Sequence, residues 1–362
     1  MRRTPLIPLA AAALSLVATA FAPAANAADP DTVADGLVSP LSLGVAADGT
    51  VFVSQNFASL LTEAAPGADA EPIFADEGQR EIGGVSVSGD TVTFTATSMG
   101  GPAIAKVYTY APDGEGWAQT EIADTWAAEK AMNPDGKTRY GIQGLSKSCK
   151  RSIPKNMRQG VVAYKGIKES HPYATTTVGG TTYVADAAAN AIWAVQGESI
   201  TPLATLPPVK VKVTKKLRKQ MHLPRCTQGK TFKGEPVPTD VEVDPLGQLH
   251  VTTLGGGLGE MLPVGAVYAI DPATGRVTKD AGGLMSPVGL AISPTGTAYI
   301  SLLFPGLVMQ QPLGGAPSVF AEVPFAGDVE VNGTDVYVTQ TDLANDGTQP
   351  PAGKVLKFST AG

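Results

Sequence analysis

Histidine is scarce in this chain, with three residues in 362, and cysteine is limited to two and tryptophan to three. Aromatic residues together make up 6%. These shortages exclude whole classes of chemistry. Two cysteines without a CxxC spacing and three scattered histidines do not build a Cys/His zinc site. No HExxH motif, nucleophile elbow, Walker loop or dinucleotide fingerprint is present. The run Gly255-Gly256-Gly257-Leu258-Gly259 follows a strand pattern and precedes Pro263 without a helix, so it reads as a loop. Long apolar runs are missing after the N-terminus, which argues against a transmembrane chain, since a spanning helix needs about 20 apolar residues.

Acidic side chains are absent from two long segments, residues 137–168 and 209–233. Each segment holds nine Lys/Arg and no Asp or Glu, although the whole chain has a net charge of −6. The rest of the chain after residue 27 therefore holds seven Lys/Arg against 33 Asp/Glu. Cys149 lies in the first segment and Cys226 in the second. In an exported protein an even pair reads as one disulfide, which would tie the two basic segments into one lobe. Two outcomes are open for that lobe. It presents Lys210, Lys212, Lys215, Lys216, Arg218, Lys150 and Arg151 to an anion such as an anionic cell-wall polymer, or it folds back on the acidic remainder and is neutralised. Little aromatic interleaving accompanies these lysines, so nucleic acid is not expected as a partner.

Export is suggested by the first residues. Arg2 and Arg3, the apolar stretch Leu6 to Ala22 and Ala25-Asn26-Ala27 have the order of a secretory signal, residues 1–27, with the mature chain starting at Ala28. The expected location is secreted or extracellular, periplasmic in a Gram-negative host.

What the sequence has in abundance is glycine, 41 residues, and proline, 29. Much of the glycine punctuates a repeat. Six segments share a strand, a polar turn and a second strand: LSLGVAADGTVFVS, VSVSGDTVTFTA, ATTTVGGTTYVAD, DVEVDPLGQLHVT, GLAISPTGTAYIS and DVEVNGTDVYVT. Their turn glycines are Gly49, Gly89, Gly180, Gly247, Gly296 and Gly333, at intervals of 40, 91, 67, 49 and 37 residues. A period near 40 with two insertions predicts an all-β, six-bladed β-propeller over residues 28–362, with the insertions at 137–168 and 209–233. The last repeat is one strand short, and Asp31 to Leu37 supplies a strand that closes the ring and removes two open edges. One helix is expected, from Asp124 to Met132, ended by Asn133-Pro134-Asp135-Gly136. A monomer is expected.

Aligning the repeats on their turns gives the residues that lead each inner strand into the central channel: Ser42, Gly84, Ala174, Asp240, Gly289 and Asp328. Asp240 and Asp328 sit in the same Asp-Val-Glu-Val context, with Glu242 and Glu330 two residues on. Such oxygens either hold a hard cation such as Ca²⁺ or cap backbone amides of neighbouring blades. His171 precedes the third inner strand and faces the same mouth.

The run Pro236-Val237-Pro238-Thr239-Asp240-Val241-Glu242-Val243 and the later Gly265-Ala266-Val267-Tyr268 resemble the ScyD/ScyE family of exported bacterial proteins. Asn133-Pro134-Asp135-Gly136, Ser170-His171-Pro172-Tyr173 and Val184-Ala185-Asp186-Ala187-Ala188-Ala189-Asn190 strengthen the likeness, which covers almost the whole mature chain. The chain departs from that pattern in a longer, more basic first insertion and in Gly89-Asp90 where Asp-Gly is usual. The resemblance implies an NHL-like propeller outside the cytoplasm and carries over no catalytic residues. The functional expectation is a non-catalytic binding or scaffolding protein for an extracellular ligand or protein. The alternatives are a cation-dependent lactonase- or lyase-like hydrolase at the channel mouth and a structural envelope protein.

Overall fold

The computed structural model describes residues 29–360 apart from 101–102, 115, 313, 344 and 346–347. The signal-sequence expectation falls on residues 1–27, outside the described residues. The described chain forms seven antiparallel four-stranded sheets. Each repeat turn holds its glycine at positive φ, from 60° at Gly89 to 91° at Gly49, a region that β-branched and bulky residues avoid. The strands between are rich in Val, Ile, Thr and Tyr, which suit a pleated, half-buried surface.

Six sheets follow one another around a ring. Their first strands are Pro40–Val45, Glu81–Ser88, Pro172–Val178, Pro238–Val243, Pro287–Ile292 and Ala326–Asn332. These strands pack side by side in chain order, and Ala326–Asn332 returns to pack on Pro40–Val45. The ring closes as the sequence implies: Asp31–Leu37 pairs with Gly353–Ser359 as the outermost strand of the sixth sheet. The strands at 106–110, 191–195, 266–270 and 307–311 lie third in their sheets, and a further strand covers each; in the second sheet that strand is Gly116–Asp124.

Apolar side chains fill the wedges between neighbouring sheets. Val241, Leu249 and Val251 of the fourth sheet, for example, share one core with Ala185 and Ile192 of the third. The helix Thr125–Met132 bridges the second and third sheets. The Asp124 side chain caps its N-terminus at Ala127 N–H, and left-handed Asn133 ends it.

The seventh sheet belongs to the two basic insertions, in the order Tyr164–Lys165, Arg139–Ile142, Thr231–Gly234, Val209–Lys212. Its apolar face covers a core of its own, including Ile142, Ile153, Val213, Leu217 and Phe232. Cys149 and Cys226 are joined in a disulfide, 77 residues apart in sequence. Among the described residues no helix is long and apolar enough to cross a membrane.

Candidate functional site at the ring mouth

The aligned channel positions turn out to be the seams of the ring. Asp328, in the sixth sheet, accepts the Leu43 N–H (3.0 Å) and the Ser42 hydroxyl (3.1 Å) of the first. Ser42 Oγ in turn accepts the Val85 N–H of the second sheet at 2.9 Å. Asp240, in the fourth sheet, accepts the Leu290 N–H of the fifth at 2.5 Å. The sequence left two roles open for these acids, and the observed geometry is amide capping between sheets. Among the described residues no group of three or more His, Cys, Asp or Glu side chains is disposed to hold a metal ion.

The glycines at the equivalent positions also have a reason. A Cβ on Gly289 would stand 2.7 Å from Asp328 Oδ1 and 2.8 Å from Ser301 Oγ. The bare Cα lets the acids of the fourth and sixth sheets meet across the fifth. Asp240 and Asp328 line one cleft there and interact electrostatically. Burial, then the negative charge of Asp328 and Glu330, pushes Asp240 well above the ordinary carboxyl range. Burial also raises Asp328, to about 6, against the pull of the Leu43 and Val329 N–H groups. Burial and the neighbouring negative charge thus favour the protonated form of this pair more than that of an ordinary carboxyl. One pleat further along the same faces, half-buried Glu242 is raised by burial and by Glu330, and Glu330 by burial and Asp328.

His171 lies on the other side of the mouth. Its Nε2 is 3.1 Å from Glu81 Oε1, and the same oxygen accepts the Asn56 side-chain amide at 3.0 Å. Burial works against the imidazolium, but the Glu81 hydrogen bond and charge outweigh it, and the His171 pKa stands above its ordinary value. Glu81 is lowered in return, its burial outweighed by His171 and Asn56. His171 and Glu81 are equivalent residues, each three positions before the channel position of its sheet. In the other four sheets this place is taken by Ser39, Val237, Ser286 and Phe325, all at positive φ between 45° and 55°. For Val and Phe that conformation is strained. Four of the six sheets thus enter the ring through a left-handed corner, and the second and third instead place ionisable groups at this position.

A cleft is lined by Asn56, Glu81, Thr97, His171 and Tyr173, and a second by Tyr173, Thr239, Asp240 and Asp328; they share Leu41, Ser42 and Tyr173. Asn56 is 1% exposed, yet its Oδ1 has no partner, and neither has Thr97 Oγ1. Two unmet polar atoms thus line the cleft that holds the His171–Glu81 pair. Tyr173 sits between the two charged groups, its phenol raised by burial and by Glu81, Asp328 and Asp240, so it is a neutral hydroxyl.

Of the residues singled out in the sequence, the fold gathers Asp240, Asp328, Glu242, Glu330 and His171 at the channel. Glu81, Asn56, Thr97 and Tyr173 were missed. Glu81 was accessible by the same alignment, had it been carried three residues further back. The motif residues Asp135 and Asn190 lie elsewhere, joining the basic lobe to the third sheet, and Asp186 lies directly behind His171. Asp135 accepts from Tyr140 and Asn190, and Asn190 Oδ1 accepts the Val237 N–H. Asp186 accepts from Ser170, the His171 N–H and Trp193. Arg218, expected on an anion-binding surface, turns inward and donates to the Leu223 carbonyl.

No family model matches the chain, and no curated protein matches it in sequence. Solved structures do. The PQQ-bound aldose sugar dehydrogenase of Streptomyces coelicolor superposes with a TM-score of 0.54 at 13% identity, over 91% of this chain and 96% of that one. A catalytically inactive virginiamycin B lyase from Staphylococcus aureus, with quinupristin, gives 0.52 at 11% identity, over 91% and 98%. At such identities the likeness is one of fold: an all-β, propeller-like ring.

Proposed function

We propose that this chain is a six-bladed β-propeller enzyme, related to the ScyD/ScyE proteins and exported from the cytoplasm. In this reading it performs acid–base chemistry on a small ester or lactone at the ring mouth. The observation that carries it is the His171–Glu81 pair in a cleft with two unmet polar atoms, Asn56 Oδ1 and Thr97 Oγ1. That the two neighbours above are enzymes on the same kind of ring lends it support. The purely non-catalytic role expected from sequence has no observation at the mouth in its favour.

The roles follow from chemistry. Glu81, fixed by Asn56, orients the imidazole and holds its tautomer. His171 takes a proton from a water that donates to Asn56 Oδ1, and the water oxygen attacks the carbonyl carbon. The buried Asp240–Asp328 pair, whose carboxyls are both raised, is the nearest proton source for the departing alkoxide and delivers a proton to it. Tyr173, neutral and between the two, donates to the substrate oxygen. The acyl–oxygen bond breaks, and acid and alcohol leave.

The test is hydrolysis of a panel of lactones and esters by the purified mature chain in the presence of a chelator. The reading expects turnover that falls at least ~100-fold in His171→Ala, the scale of a lost general base. Undiminished turnover in that variant, or none on any substrate, would overturn it.

A further inference from the structure

The lobe sheet presents a charged face that the ring mouth does not use. Its register fixes which side chains share a face. Arg139 lies opposite Lys165, Gly141 opposite Lys233, and Lys233 opposite Lys210, with Lys212 two residues along. Because side chains alternate along a strand, Lys165, Arg139, Lys233, Lys210 and Lys212 all stand on one face, with contributions from all four strands. Tyr140, Ile142, Phe232 and Val211 fall on the other face, which covers the lobe core or is itself buried.

Like charges directly opposite one another weaken a sheet. Here two such pairs, Arg139–Lys165 and Lys210–Lys233, are built into one small sheet. Nothing offsets them: among the described residues, none of the 18 Lys/Arg in segments 137–168 and 209–233 forms an ion pair with a carboxylate. Among the described residues no short ion pair ties these cations to the acidic ring. Arg139, Lys165, Lys210 and Lys212 are exposed and Lys233 partly so.

We infer that this face is a binding surface for a linear phosphate polymer that crosses the four strands. Strands stand about 4.8 Å apart, so the row extends about 14 Å, room for several successive phosphates. Four of its five cations are lysines, compact charges suited to phosphate oxygens. The nearby aromatic rings Tyr140, Tyr164 and Phe232 all belong to the opposite face, so this one offers no platform for stacking a base. That favours a polymer without bases over nucleic acid.

Long-chain inorganic polyphosphate is the probe, titrated against the full mature chain by fluorescence anisotropy over a range of salt. Binding is expected, with log K falling linearly with log salt as counterions are released. Lys210→Glu with Lys233→Glu should weaken it at least ~10-fold and flatten the salt slope. The milder pair Lys210→Gln and Lys233→Gln should do so in part, which guards against a folding defect in the first. The same charge change on the helices Lys147–Ser152 and Lys155–Met157, as Lys147→Glu with Lys155→Glu, should cost less than ~3-fold. Three outcomes would overturn the inference: no binding at low salt, equal losses from the helix variant, or tighter binding of a single-stranded oligonucleotide of matched charge.

Discussion

Asp328 in the last ring sheet accepts the backbone N–H of Leu43 in the first at 3.0 Å, so a buried carboxylate sits on the seam where the two ends of the chain meet. It also accepts from Ser42 and from its own neighbour Val329. Asp328→Ala would leave three buried donors without an acceptor. A loss of at least about 2 kcal/mol of stability is expected, read by denaturant unfolding. A midpoint within error of the parent would refute the seam role.

The His171–Glu81 pair predicts a specific titration. With Glu81 present the His171 pKa lies above its ordinary value, and the Glu81 charge is what holds it there. Glu81→Gln should therefore lower the His171 pKa, followed by NMR of the ring protons. If turnover is found, its acidic limb should move to lower pH in the same variant. A His171 pKa that stays put would show that the imidazolium is stabilised elsewhere.

Glu129 is 0% exposed and neither of its oxygens has a partner. Burial, then the charges of Asp186 and Asp135, raise it from 4.5 to about 8. The folded state therefore holds a proton that the unfolded state releases, and this residue's contribution to stability falls as pH rises from about 4.5 to about 8. Glu129→Gln should match the parent near pH 5 and exceed it at pH 8.5, by on the order of 2 kcal/mol or more. Thermal or denaturant melts at both pH values check this. Equal stabilities at pH 8.5 would contradict it.

The Cys149–Cys226 bridge spans 77 residues. Loop closure of that length is worth about 4 kcal/mol in the chain-entropy account. The lobe has its own core, so the loss in Cys149→Ser with Cys226→Ser should be local. Proteolysis is expected first within 137–168 and 209–233, with the ring sheets still protected. Cleavage spread evenly over the chain would show that lobe and ring unfold together.

The ring was legible because its signals are local: a glycine at each turn, β-branched strands beside it, and a spare strand at Asp31–Leu37 for a sheet lacking one. The lobe sheet was half legible. The alternation Val209-Lys210-Val211-Lys212 announces a strand, but its pairing with Thr231–Gly234 depends on contacts across the insertion. The role of Asp240 and Asp328 was undecidable from spacing, since a carboxylate aimed at a cation and one aimed at a neighbour's N–H look alike in sequence. Asn56 escaped because it belongs to a short 3₁₀ turn in the first sheet and meets Glu81 only once the sheets are side by side.

Asp31 has its partner in Lys357. While the chain is being made, the opening strand waits for nearly all of the rest before it has anything to bond. Until then it and the sixth sheet each expose a bare edge that any other extended chain can extend. Assembly of the circle is thus the last event and the one with the longest loop to close, a slow step by its topology. A cut or deletion that removes either terminal strand reopens the circle at one place and returns both edges to the solvent, however sound the remaining five sheets are.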